Sequence, residues 1–392
     1  MRLQKAALAV CLVLTLLLTG APPAAGSLAR GYNGLAATPP MGWNNYNAYG
    51  LDVTAALIEQ TADAMVSSGM RDAGYLYVNI DDGWMAATRD ADGDLRADPT
   101  RFPDGIAAVA DYVHARGLKL GIYSDAGLKT CGGFPGSLGH ETADAAKFAA
   151  WGVDYVKYDN CFAGPGCDQT SCANGTAAPA QDRYAPMRDA LLSTGRPIVF
   201  SICNWGTENA ARWAAGYGNL WRTTGDISPT YASMLSIFQQ TVGQGRYAGP
   251  YGWNDPDMLQ IGNGMTATED RTEMSLWAML AAPLIAGNNL ADATPATIAL
   301  FTNRAVIAVD QDPLGVAATV VSAAGGLYVL TRPLANGDVA VALFNSTDTA
   351  ATMSTTVPAG TVTDLWTGTT AGSVGASVPA HGTMLYRVIP SA

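Results

Sequence analysis

Histidine is scarce: three residues in 392, His114, His140 and His381, lie far apart along the chain. A zinc or other transition-metal centre draws on clustered His and Cys, so this inventory argues against one. Charge is scarce too, at 14% of residues, and leans acidic, with 33 Asp plus Glu against 22 Lys plus Arg for a formal net charge of -11. A protein that competes for phosphates needs a basic face to displace counterions, so nucleic acid is not an expected partner. No acidic loop has EF-hand spacing, which leaves the adjacent Asp81 and Asp82 short of the oxygens that calcium takes. No metal and no cofactor is expected. Also missing are a glycine-rich phosphate loop and, past the N-terminus, any apolar run of the roughly 20 residues that cross a bilayer, so a membrane is not an expected partner either.

The one long apolar run, 6–18, follows Arg2 and Lys5 and precedes the small residues and two prolines of 21–26. That order is the pattern of a secretory signal, so residues 1–26 are expected to be removed and the rest to be secreted. Of six cysteines, Cys11 leaves with the signal, and five face an oxidising compartment. The expected bonds are Cys131 with Cys161 and Cys167 with Cys172, with Cys203 remaining a thiol.

What is present is a large apolar inventory, 48% hydrophobic residues, in a recurring pattern. Short apolar strands are expected at 41–44, 75–80, 118–123, 153–158, 197–202, 220–223, 251–253 and 283–286. Between them lie stretches with apolar residues three or four apart, such as 55–68, 106–116, 142–150 and 184–193, which read as helices. Eight strands alternating with helices fit a (β/α)8 TIM barrel over 31–315. A doubly wound sheet is the alternative, weakened by the missing phosphate loop. After Gly315 the helical spacing stops. Strands at 326–334, 339–345, 361–366 and 383–389, separated by turn residues, predict a small C-terminal antiparallel β-sandwich over 316–392. With Trp366 its only tryptophan, that domain reads as packing before carbohydrate binding.

Barrel chemistry gathers where strands end at their carboxyl side. Polar and aromatic residues recur there: Asp81, Asp82 and Trp84, then Tyr123, then Lys157 and Asp159, then Cys203, Asn204 and Trp205, then Arg222 and Asp226, then Trp253, Asp257 and Met258. Carboxylates with tryptophans fit a sugar, whose hydroxyls take polar partners and whose C–H face takes an aromatic plane, here from Trp43, Trp84, Trp205 or Trp253. Two carboxyl groups about 5–5.5 Å apart cleave a glycosidic bond with retention. Lys157 lies two residues before Asp159, so both face the barrel interior, and its ammonium is expected to hold Asp159 ionised. Trp151, Trp213 and Trp277, in helical stretches, are assigned to packing, and Cys203 reads as an inert buried thiol.

These residues sit in motifs that resemble glycoside hydrolase family 27, the α-galactosidase and α-N-acetylgalactosaminidase family: Pro-Met-Gly-Trp-Asn at 40–44, Tyr-Val-Asn-Ile-Asp-Asp-Gly-Trp at 77–84, Lys-Leu-Gly-Ile-Tyr-Ser-Asp at 119–125, Lys-Tyr-Asp-Asn-Cys at 157–161, Trp-Arg-Thr-Thr-Gly-Asp at 221–226 and Trp-Asn-Asp-Pro-Asp-Met at 253–258. The resemblance covers about 39–315. It implies retaining hydrolysis of terminal α-linked galactose in oligosaccharides, polysaccharides or glycosides, by double displacement and without a cofactor. It implies Asp159 as nucleophile and Asp226 as a protonated acid/base. By the same resemblance Asp81 and Asp82 hold the 4- and 6-hydroxyls, Lys157 lies on the 3- and 4-hydroxyl side and Trp43 lies near the sugar. Arg222 and Asn204 lie near the 2-hydroxyl, and Asp257 and Met258 close the pocket. The Cys131–Cys161 pair is retained. A second family disulfide is absent as a unit, since neither the 50–51 region nor Gly83 supplies a cysteine. Asp82 and the loop at 203–206 favour α-galactose. α-N-Acetylgalactosaminidase and β-L-arabinopyranosidase stay open, as does a non-catalytic galactose-binding protein; oligomeric state is undetermined.

Overall fold

The structure, a computed structural model, describes residues 31–391. The expected signal segment lies outside them. Eight parallel strands form the inner layer: β1 Met41–Asn44, β2 Tyr77–Asn79, β3 Lys119–Asp125, β4 Tyr155–Asp159, β5 Val199–Ile202, β6 Leu220–Arg222, β7 Trp253–Asp255 and β8 Leu284–Ala286. Neighbours run β7-β6-β5-β4-β3-β2-β1-β8, and the seam beyond β7 is closed by a parallel bridge from Leu259 to Ala286. Parallel neighbours need a crossover, and helices such as Ala55–Ser67, Gly105–His114, Glu141–Ala150 and Ala180–Ser193 supply it. The seventh strand starts later than expected. Tyr251 sits at φ 76°, a left-handed conformation that a strand cannot pass through, so pairing resumes at Trp253.

The chain after Ala318 builds a six-stranded antiparallel sheet faced by the two-stranded ribbon Ala351–Ser354 with Gly375–Val378. Val341, Leu343 and Val388 pack from the sheet onto Met353 and Val378 of the ribbon, the two-layer arrangement of a sandwich. Thr319–Ser322, Ala351–Ser354, Thr370–Ala371 and Gly375–Val378 are strands the sequence pattern does not announce. They are short, and their Thr, Ser, Ala and Gly content carries no alternation. Asn345, in a glycosylation-like Asn-Ser-Thr triplet, is fully buried and donates to Thr349, Val378 and Pro379 carbonyls, so it is closed to modification.

The helix Ala267–Leu280 joins the two layers. Thr266 and Glu269 form a capping box at its start, and every residue from Thr272 to Leu280 is buried, without an exposed face. It is covered on both sides. Its Trp277 indole donates to Asp257 O in the barrel (2.9 Å), while Ser275 Oγ accepts from Trp366 Nε1 (3.0 Å) and Ala278 O from Arg332 of the β domain.

His381 adds a charged clamp between the two. Its Nδ1 lies 2.8 Å from Glu269 and its Nε2 2.9 Å from Asp348, with the ring stacked 3.7 Å from Tyr231. Only an imidazolium has a proton for both carboxylates. Burial works against that charge, but the carboxylates outweigh it and raise the His381 pKa above the ordinary value. A raised folded-state pKa means stabilisation that is full below the unfolded value, about 6.5, and lost as pH rises through the folded one. The melting-temperature gap between the parent and His381→Gln is therefore expected to be widest near pH ~5.5 and to narrow above pH ~7. Asp310, pushed up by burial to about 8, gives a slope of the same sign in both proteins and cancels in the difference. A gap constant with pH would rule out the imidazolium.

Candidate active site

The carboxyl ends of β2, β3, β4, β6 and β7 converge on one small pocket, open to solvent on one side. Asp159, at the end of β4, is buried and accepts three hydrogen bonds, from Tyr123 Oη, Trp205 Nε1 and its neighbour Asn160 N, each 3.0 Å. Asp81 accepts from Lys157 Nζ (2.8 Å) and Asn44 Nδ2 (2.7 Å). Asp82 accepts from Gly132 N (2.6 Å) and Gly83 N (2.7 Å). The Gly132 bond draws the loop beside Cys131 over the pocket. Across from them, Arg222 Nη2 is shared between Asp257 (2.9 Å) and Asp226 (3.0 Å). The Asp226 side chain is 72% exposed and stands at the mouth.

The protons are not distributed as the sequence suggests. Lys157 spends its hydrogen bond on Asp81, and Asp159 is pushed up to about 6 because burial outweighs the pull of Lys157. Asp226 is not raised. Desolvation at the mouth is overcome by Arg222 and Lys157, which hold its carboxyl below the usual range. The two carboxyl groups are thus shifted in opposite senses, Asp159 upward by burial and Asp226 downward by its cations. Burial also lifts Asp82 to about 6, against the Gly132 amide.

Three expected site residues stand elsewhere. Trp43 is fully buried, its indole donating to Asn288 O (2.7 Å) and its ring edge-on to Tyr49. Side chains alternate along β1, and Asn44 takes the inward position, so Trp43 points away. Asn204 is fully buried and donates to Thr207 O (2.8 Å). Cys203 lines a second cavity beneath the pocket, receives Arg222 Nη1 (3.7 Å), and has its thiol pushed well up by burial. Trp84 and Trp253 are core as well, and of the four tryptophans considered as sugar platforms only Trp205 touches the site. Tyr123, Lys157, Arg222, Asp257 and Met258 all line the pocket.

The pocket also has walls that the strand-end pattern passed over. Tyr46 and Asn47 follow β1, and Ile227 follows Asp226. Extending the strand-end rule two residues past Asn44 reaches Tyr46. Cys131 and Cys161 are bonded to each other beside Asp159, Cys167 to Cys172, and Cys203 is a free buried thiol. Among the described residues, the one metal-like cluster is Asp125, Cys131, Asp159 and Cys161, whose sulfurs are spent in that disulfide and are not thiolate ligands. Where the second family disulfide is missing, Gly83 at φ 96° packs against Leu51 O, and Arg101 Nη1 donates to that carbonyl (2.9 Å).

A family model described as Alpha galactosidase A matches residues 38–312, and one described as the alpha galactosidase C-terminal beta sandwich domain matches 324–388. The α-galactosidase of Cyamopsis tetragonoloba is 45% identical over 375 residues, 91% of this chain and 88% of that protein. Among solved structures, α-galactosidase I of Mortierella vinacea matches with a TM-score of 0.86 at 38% identity, covering 92% of this chain and 99% of that one. The α-galactosidase of Saccharomyces cerevisiae with raffinose matches with a TM-score of 0.81 at 32% identity, with coverage of 92% and 99%. Motifs, barrel, sandwich and relatives agree: the chain belongs to the α-galactosidase family, glycoside hydrolase family 27.

Proposed function

We propose that the enzyme removes terminal α-linked D-galactose with retention, Asp159 attacking the anomeric carbon and Asp226 acting as acid and then base. The observation that carries this reading is one pocket with a buried carboxyl on its wall, a second at its mouth and a polar clamp between. The mouth position suits a group that meets the leaving oxygen and then water, while the buried position suits a nucleophile shielded from water. Lys157 with Asp81, and Asp82 with the Gly132 loop, close the far end of the pocket, so the bound ring is a chain terminus. That fits relatives named α-galactosidases and a yeast one crystallised with raffinose.

Asp226 must hold the proton before bond breaking. A bound sugar displaces water from Asp226, which raises it, and sets an electron-poor anomeric carbon against Asp159, which favours its anion. Trp205, beside the nucleophile, is bulky where relatives that accept an N-acetyl group carry small residues. Asp82 leaves room for a 6-hydroxyl. The protein acts after export, where its two disulfides persist. Rates on chromogenic α-galactoside, α-N-acetylgalactosaminide and β-L-arabinopyranoside, measured side by side, are expected to rank the first highest. Proton NMR is expected to show the α anomer released first. A faster rate on either other glycoside would reassign the substrate, and initial β anomer would exclude retention.

A further inference from the structure

Inside the barrel a narrow second cavity reaches Asp255, Ser201 and Cys203 and shares Lys157, Arg222 and Asp257 with the pocket. Asp255 is the last residue of β7 and makes no ion pair among the described residues. Among the described residues its side chain makes one hydrogen bond, Oδ1 accepting from Asp257 N at 2.9 Å, and its charge acts on Arg222 nearby. Asp257 needs that bond, because it sits at φ 80°, a left-handed conformation that a non-glycine residue holds only when its surroundings fix it.

Held there, Asp257 reaches both flanks of the acid/base. Its Oδ2 accepts from Arg222 Nη2 (2.9 Å) and from Ile227 N (2.9 Å). Arg222 is the cation on Asp226, and Ile227 is the residue after it. We propose that Asp255 is a positioning residue for Asp226: through the left-handed turn of Asp257 it fixes the backbone beside the acid/base and keeps half of the Arg222 charge engaged elsewhere. Without that turn, Ile227 N loses its acceptor and Arg222 is free to settle on Asp226 alone. Both changes remove acid assistance to the leaving oxygen, and neither touches Asp159.

The inference rests on Asp226 being the acid/base, and leaving-group dependence separates the two. A 2,4-dinitrophenyl α-galactoside departs without a proton, whereas a methyl α-galactoside needs one. Asp255→Ala is expected to lower kcat/KM at least about tenfold more on the methyl than on the dinitrophenyl substrate, a share of what general acid catalysis supplies. Asp255→Asn, which keeps an oxygen for Asp257 N, is expected to retain most of the activity on both. Should the Ala variant fail to fold, Asp255→Val, which fills the cavity without an acceptor, answers the same question. Equal losses on the two substrates, or an Asn variant as impaired as Ala, would overturn the proposal. Asp226→Ala is the control: if it too shows no leaving-group dependence, the acid/base assignment falls with it; if it does, only the role of Asp255 falls.

Discussion

Asp159→Asn is expected to lower turnover of an aryl α-galactoside by about 10⁴-fold or more, with the fold intact. The amide cannot form the glycosyl ester, yet it fits the same contacts. Its oxygen accepts from Trp205 and Asn160, and its nitrogen donates to Tyr123 Oη, which now acts as acceptor. Stability should move the other way. Because burial pushes Asp159 up to about 6, holding it ionised at neutral pH costs the native state free energy that the neutral amide does not. A variant with no activity and a melting temperature at pH 7 no lower than the parent's is the expected result. Near-parental turnover would remove Asp159 from its role, and a large drop in melting temperature would show that its charge supports the fold.

Replacing Asp226 by Ala should cost about 10²–10⁴-fold in kcat/KM on alkyl galactosides and little on the dinitrophenyl substrate. The pH dependence should invert as well. On the proposed mechanism the parent needs one proton on the Asp159–Asp226 pair, so its kcat/KM is expected to fall as pH rises through about 6, where that proton leaves. The variant on an activated substrate needs only an ionised Asp159, so its rate should rise with pH. Asp226 is one of the charges raising Asp159, so this rise should be centred below 6. A parental-type fall in the variant would place the essential proton on another group.

The barrel was readable because its strands are apolar runs with polar ends, a pattern that parallel sheets buried on both faces impose. The site carboxylates were readable for the same reason: Asp81, Asp159 and Asp257 close such runs. The tryptophans misled. A period of two assigns sides only relative to a known neighbour, and nothing in 41–44 marks Asn44 rather than Trp43 as inward. Tyr46 went unremarked because it belongs to a loop whose path no periodicity describes. The proton order was hidden more deeply. Lys157 two residues before Asp159 puts both on one side, but whether its ammonium serves Asp159 or Asp81 depends on β2 and β4 lying on either side of β3 in the curved sheet. Short C-terminal strands such as Gly375–Val378 take their state from a partner across the sandwich, a non-local fact.

The helix Ala267–Leu280 bears on how the enzyme can be cut. Wrapped on one side by the ring and on the other by the sheet, its buried stretch from Thr272 to Leu280 relies on both covers. A truncated chain ending before Thr319 would lay bare Ala278 and Met279, and leave Thr272 and Ser275 without their partners, directly behind the segment that carries Asp257. The appendage thus covers the barrel from outside, and the barrel cut away from it is expected to lose solubility.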